Sequence, residues 1–448
     1  VVITVVVNTA APTTHRDPLP PPHHFNNMPY NEALVVPAPA DNSETTTQAK
    51  KAESVNVTPS SSVETSSPDS PIQYSFSRKK AMDSNIVVES GLVGHFPEGF
   101  FDRVFGPEGR PSQHFLLTDS RVNTLYGDVV LEEIHSSGYR CEKLVLPEGE
   151  ASKSVENYCK LVESILHTGM DKKTTIVSLG GGVVNNMAGM LTGTLYRGIR
   201  LVHICTSMMS QVDAAIDFKQ AVNTCYGKNL VGAYHPASLI VIDPSVTLTQ
   251  SERDVRNGIS ESIKHALCQD EAILEYIVKN GREHVHDIEF LHNVVKLTLD
   301  LKVPTLNGAV SDDFNEMVPQ YGHCIGHAIE HVSKYDFLHG EAIAIGMTVS
   351  AEIAVALGIA KPELVDRHIE VFSSMKLPWS VPSDMSIEQV LETVKYDKHF
   401  FNSLPRMGLL VEVGTMYRHP ETHQCGIPID YDVLEKALRV NQQRGESA

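Results

Sequence analysis

Three histidines and a carboxylate carry the most specific chemistry in this sequence. The segment GHCIGHAIEH (322–331) sets His323 and His327 four residues apart, which puts both imidazoles on one face of a helix. His339 follows in HGEAIAIGM (339–347), at the start of the next helical pattern. Glu261 opens ESIKHAL (261–267), with Lys264 about one turn further on. Two imidazoles and a carboxylate form a normal zinc-type ligand set that leaves coordination positions open for substrate oxygens. The HExxH pattern of metalloproteases is absent. With 21 histidines, chance pairs are expected, and His265, His331 and His399 are read as bystanders.

A second motif is SLGGGVVNNMAG (178–189), which follows an apolar run and opens a helix. Three consecutive glycines remove Cβ atoms where backbone must approach a pyrophosphate, and a helix N-terminus favours an anion. It is neither G-x-G-x-x-G nor a P-loop, since no G-K-[ST] follows. Basic residues recur singly among apolar or small neighbours: Arg197, Lys219, Lys228, Lys264, Lys302 and Lys398. Each alone reads as a solvated charge; converging, they make an anion pocket.

These residues need a scaffold. HFLLTDS (114–120), KLVLPEG (143–149), TTIVSLGGG (174–182), RLVHICT (200–206) and SLIVID (238–243) read as buried strands, with a helical pattern at 154–170 between them. Alternating strands and helices predict a parallel sheet with helices on both faces. From about Ser251 the pattern is helix after helix: 252–268, 270–281, 286–302, 315–333, 340–357, 361–375 and 386–396. The expected architecture is an α/β fold class: a nucleotide-type α/β domain over 86–247 and an all-helical domain over 248–448, with the site in the cleft between them. Residues 1–85, rich in Pro, Ser, Thr and Asn, are expected to be a disordered tail.

The 448 residues carry 37 Lys plus Arg against 55 Asp plus Glu, a net charge of −18. That balance argues against nucleic acid or an anionic membrane surface as partner, but not against a small anion held by a few local cations. No apolar run of about 20 residues is present, so no membrane-spanning helix is expected. The seven cysteines are scattered without a C-x-x-C, which suits a reducing, cytoplasmic location.

The order of the motifs resembles the sugar-phosphate cyclases of the dehydroquinate synthase superfamily. The matching segments are LLTDSRVNTLYGD (116–128), LPEGEASKS (146–154), 179–207, 212–244, RNGISESIKHAL (256–267), YGHCIGHAIEH (321–331), HGEAIAIGM and YDK (396–398). The resemblance implies a Rossmann-like NAD-binding domain and a helical metal-binding domain. It also implies bound NAD that is reduced and reoxidised within one turnover, a divalent metal (zinc or cobalt), a sugar-phosphate substrate and a homodimer. It makes Glu261, His323 and His339 the metal ligands and His327 the acid–base partner. Lys219 falls beside the reacting carbon, Lys264 and Asn229 on substrate oxygens, and Arg197, Lys302 and Lys398 on phosphate or other substrate oxygens. Asp119, Glu150, Lys153, Gly181, Gly182, Asn186, Thr206, Ser207, Asp213 and Lys228 fall on the NAD side.

Within that superfamily, Asn186, the KQAVN segment (219–223) and the YRGI-x-L-x-H run (196–203) resemble 2-deoxy-scyllo-inosose synthases, which act on glucose 6-phosphate. Dehydroquinate synthases typically carry Arg and Asn where this chain has Glu316 and Gln320, and inosose synthases carry Glu at the latter position. The alternatives are a dehydroquinate synthase proper, a metal-dependent alcohol or glycerol dehydrogenase of the same architecture, and a catalytically inactive binding homologue.

Overall fold

The computed structural model describes residues 83–447 except 107–111, 226, 309, 310 and 399. The tail expected over 1–85, apart from its last three residues, and His399 lie outside the described residues.

Six strands form one all-parallel sheet: β1 (Asn85–Val88), β2 (Gln113–Asp119), β3 (Arg140–Leu146), β4 (Thr175–Gly180), β5 (Arg200–Cys205) and, after a hairpin, β8 (Leu239–Ile242). Their order is β1-β8-β5-β4-β2-β3. The central strands are near-continuous apolar runs because helices cover both faces: every residue of β4 is buried, and so are five of the seven in β2. Helices α1 (Phe100–Phe105), α2 (Asp128–Ser136), α3 (Val155–Thr168) and α4 (Gly182–Thr194) supply that cover. The chain leaves β2 towards β3 on one side and resumes at β4 on the other, so a crevice opens at their carboxyl ends, the place where such sheets bind ligands.

Strands β6 (Lys219–Thr224) and β7 (Gly227–Tyr234) form a separate antiparallel ribbon. That stretch carries no strand signal, because Lys, Gln, Asn and Gly interrupt any alternation. Four consecutive residues of the ribbon, from Asn229 to Gly232, face solvent.

The C-terminal part is helical, as expected: α5 (Glu252–Gln269), α6 (Glu271–His284), α7 (Ile288–Leu306), α8 (Asp312–Met317), α9 (His323–Val332), α10 (His339–Ala356), α11 (Glu363–Ser374) and α12 (Ile387–Val394). Two details differ. The single helix expected over 315–333 is two, because Pro319 offers no N–H and Gly322 takes a left-handed φ of 76° just before His323. Nor is the region purely helical. Short strands β9 (Phe400–Phe401), β10 (Leu404–Gly408) and β13 (Gly426–Pro428) make one small antiparallel sheet, β11 (Leu410–Glu412) and β12 (Thr415–Met416) another, and α13 (Tyr431–Ser447) closes the chain. These strands are two to five residues long, too short for a period to show. Among the described residues, no helix is long and apolar enough to cross a membrane.

Glycines let α9, α10 and α5 approach closely. A Cβ on Gly326 would stand 2.8 Å from Ile343 Cγ2 and 2.9 Å from Ile343 Cα, and one on Gly346 would collide with the carbonyl of Gly322. At the start of α10, Gly340 donates its N–H to Asn257 Oδ1 on α5 at 2.5 Å. We expect Gly346→Ala to overpack this crossing at a cost of about 2 kcal/mol. Thermal unfolding should show a Tm lower by ~2–3 °C. An unchanged Tm would mean the helices are not held this closely.

Candidate active site

Glu261 from α5, His323 from the first position of α9 and His339 from the first position of α10 meet at one point. One ligand atom from each lies within 4.8 Å of the other two. Glu261 Oε1 is 3.4 Å from His323 Nε2 and 3.3 Å from His339 Nε2. It is buried, and no hydrogen bond reaches it. Its other oxygen, Oε2, accepts from Lys264 Nζ, which also donates to the Pro319 carbonyl at 2.9 Å. Leaving a buried carboxylate oxygen unpaired is costly, so a group that fills the space between Oε1 and the two Nε2 atoms is called for. The residues fit a divalent ion.

Both imidazoles are held from behind. His323 Nδ1 faces the Tyr321 carbonyl at 3.2 Å, and His339 Nδ1 faces Glu330 Oε2 at 3.0 Å. With those nitrogens as donors, each Nε2 lone pair points to the common centre. Burial pushes Glu261 up, but the Lys264 ammonium and His323 outweigh it and hold the carboxyl well below its usual range. Burial pulls His323 down to about 3. For His339 burial acts downward too, yet Glu330 and Glu261 raise it to about 9. His327, the second histidine of the HxxxH pair, has its ring 5.3 Å from that of His323 and 5.8 Å from that of His339, and its Nδ1 faces Asp397 Oδ2 at 3.5 Å.

The glycine loop sits at the carboxyl end of β4. A Cβ on Gly181 would come to 3.0 Å from Ser207 Oγ, and one on Gly182 to 3.1 Å from Ala214 Cβ. Thr206 N donates to the Gly180 carbonyl at 3.0 Å, which fastens the end of β5 to this loop. Asn186 lies buried one turn into α4. Asp119 ends β2 and caps the next turn through Arg121 N and Val122 N, both at 2.9 Å. Glu150 follows β3 and accepts from Asn223 Nδ2 at 2.8 Å; burial raises its carboxyl, but Lys153 and Lys228 outweigh this and keep it ionised. Lys153 donates to Asn229 Oδ1 at 2.6 Å. Lys228 Nζ lies 2.6 Å from Glu330 Oε1, 3.7 Å from Glu150 Oε1 and 5.0 Å from the centre of the Tyr335 ring.

Of the cationic set, Lys302 is fully buried, paired to Asp213 and 3.1 Å from Asp217 Oδ1. Lys219 reaches the other oxygen of Asp217 at 3.7 Å. Lys228, Asn229, His327, Asp397 and Lys398 line one cavity of about 300 Å³. Arg197 stands apart. It follows the C-terminal end of α4, ~20 Å along the helix from the glycines, and is exposed with φ 62°. No hydrogen bond or ion pair links it to the cluster among the described residues.

The chain is similar to known proteins over most of its described length. Residues 143–257 match the model of the 3-dehydroquinate synthase N-terminal region and residues 258–400 that of its C-terminal region. A 2-deoxy-scyllo-inosose synthase from Streptoalloteichus tenebrarius is 32% identical over 327 residues, 71% of this chain and 83% of that protein. The chain belongs to the dehydroquinate synthase superfamily. A 3-dehydroquinate synthase from Rippkaea orientalis is 31% identical over 303 residues, 67% of this chain and 83% of that one. The superfamily fold is confirmed by a solved 2-deoxy-scyllo-inosose synthase, complexed with carbaglucose-6-phosphate, NAD+ and Co2+. It matches with a TM-score of 0.71 at 24% identity, over 80% of this chain and 97% of that one.

Four residues of this cluster were not named as site residues in the sequence analysis: Glu330, Asp397, Asp217 and Asn223. Each lies within four positions of one that was. Glu330 is three positions after His327, a same-face spacing, and Asp217 is two before Lys219. In the metal-free protein His339 carries a proton below about pH 9, while His323 is neutral and Glu261 ionised. Uptake of Co2+ should therefore release one proton, and affinity should rise up to about tenfold per pH unit towards that value. Titration calorimetry in two buffers of different ionisation enthalpy reads this directly; no released proton at pH 7.5 would contradict the assignment.

Proposed function

We propose that this chain is a NAD- and metal-dependent sugar-phosphate cyclase. It would convert a sugar phosphate to a carbocycle by transient oxidation, phosphate elimination, reduction and intramolecular aldol closure. The observation that carries the reading is the unpaired, buried Glu261 Oε1 facing two histidine Nε2 atoms whose other nitrogens are held. Glu261, His323 and His339 would hold the divalent ion, zinc or cobalt, and the loop at Gly181 and Gly182 with Glu150 and Lys153 would hold the dinucleotide. When bound, NAD+ takes up and returns a hydride, and the ion polarises the oxygen of the alcohol being oxidised.

The chain's own groups do the rest. His327, whose Nδ1 faces Asp397, lines the cavity and would serve there as the acid–base partner of the substrate. Lys219 and Lys398 present cations to a phosphate ester. Lys264 keeps Glu261 ionised and turns one of its oxygens away from the ion site. Lys302 holds Asp213 and Asp217 in place, and through Asp217 it orients Lys219. Loss of phosphate is what distinguishes this chemistry from that of a dehydrogenase, and the lysines are its support.

Within the superfamily we favour a 2-deoxy-scyllo-inosose synthase acting on glucose 6-phosphate. Glu316, paired to Arg406 at 3.6 Å, supplies no cation for a substrate carboxylate at a position where dehydroquinate synthases typically carry Arg. Gln320, whose buried Oε1 lacks a partner, suits a sugar hydroxyl as donor. The second reading is 3-dehydroquinate synthase, favoured by both family models and by a relative of nearly equal identity.

A phosphate-release assay with catalytic NAD+ and Zn2+ or Co2+ should give turnover on glucose 6-phosphate and little on the C7 keto-acid phosphate of the shikimate route. The reverse preference selects the second reading, and stoichiometric NADH without phosphate release selects a dehydrogenase. His339→Ala should lose the metal and nearly all turnover, whereas Lys219→Ala should lower kcat by ~100-fold or more while leaving the fold intact. If Gln320→Glu improves turnover of glucose 6-phosphate, Gln320 is a specificity residue.

A further inference from the structure

Glu330 has no part in the assignments above, yet it occupies the middle of the site. It lies on α9 and is 1% exposed. Both of its carboxylate oxygens are engaged, each by a different functional residue from a different element. Oε2 meets His339 Nδ1 of α10 at 3.0 Å, and Oε1 meets Lys228 Nζ of β7 at 2.6 Å. Lys228 in turn faces Glu150 beyond β3 at 3.7 Å.

Burying a carboxylate this deeply is strongly unfavourable unless charged donors meet both oxygens. A neutral amide of the same shape meets only one of them. Its oxygen can accept from Lys228, but its NH2 then confronts the Nδ1–H of His339, donor against donor. The site thus demands an ionised carboxylate at this position for reasons that packing alone does not supply.

We propose that Glu330 is a positioning residue that sets the metal site and the dinucleotide site with one carboxylate, orienting His339 for the divalent ion and Lys228 for the dinucleotide. The inference rests on the reading of the site as one for both NAD and a divalent ion. It predicts that one substitution far from neither group damages both binding functions, while a substitution at Lys228 damages one.

The test uses the full chain and reads binding, not turnover. Co2+ affinity comes from its visible absorption and NAD+ affinity from calorimetry, with circular dichroism to verify folding. In Glu330→Gln, Co2+ should bind about 10–100-fold more weakly with an altered spectrum, and NAD+ about fivefold or more weakly. Lys228→Met should weaken NAD+ alone and leave the Co2+ spectrum unchanged. Should Glu330→Gln not fold, Glu330→Asp keeps the charge but withdraws both oxygens, and the same paired losses are expected. A folded Glu330→Gln that binds Co2+ within twofold of the parent chain, or that loses Co2+ affinity alone, overturns the proposal. If the parent chain itself binds neither Co2+ nor NAD+, the underlying reading falls. If the parent binds both, and His323→Ala abolishes Co2+ binding while Glu330→Gln keeps everything, only the role of Glu330 falls.

Discussion

The charge of Glu261 has no access to water. An isolated carboxylate in such a place would cost many kcal/mol and would normally take up a proton. Here it stays ionised because Lys264 meets one oxygen and the edges of two imidazoles face the other. That single requirement accounts for much of the helical region. Three helices have to deliver their ends or flanks to one spot, and they do so through glycines at 322, 326, 340 and 346, where any larger residue would hold them apart. The break between α8 and α9 belongs to the same requirement, since it makes His323 the first residue of its helix and frees the Pro319 carbonyl to hold Lys264.

The α/β part and the helical part share one apolar core, in which Met208 and Val212 join Val255 and Ile259, and ion pairs cross beside it. Glu150 reaches Lys228, Lys228 reaches Glu330, and Glu330 reaches His339. On the other side Asp213 and Asp217 are tied to Lys302 of α7. Acids and bases alternate along both paths, so each buried ion is neutralised by its neighbours and few ammonium groups remain for a ligand. A net charge of −18 is therefore compatible with a phosphate-ester site, because the cations that matter are local.

Much of this was legible in the sequence. The strands β2 to β5 and β8 show as apolar runs because helices bury both faces, and the long helices show because their apolar positions repeat. His323 and His339 stood out through the motif order shared with the superfamily, since an HxxxH pair alone is expected by chance among 21 histidines. What was not legible has a physical cause in each case. Glu330 and Asp397 act through contacts between elements far apart in the chain, and a single acid beside a histidine or lysine carries no period. The β6–β7 ribbon pairs with itself, seats Val222 in the core and is tied by the Asn223 N–H to the Lys153 carbonyl at 2.8 Å, and its one buried run, Gln220 to Val222, is too short to show a period. Arg197 shares a motif with the site but not its location, because sequence order along α4 carries it to the far end of that helix.

The ribbon also has a consequence for how such a site can change. Lys219, Asn223, Lys228 and Asn229 all ride on sixteen consecutive residues. Their strands pair with each other rather than with the main sheet, and one face of β7 is open to solvent. The helices that bury Glu261 and the ribbon that presents these four side chains are joined by the Lys228–Glu330 ion pair. A lineage that rewrites the ribbon while keeping Val222 and Lys228 leaves its seat on the core and its tie to Glu330 in place. The ribbon is then a strap pinned at two points, free to vary between them.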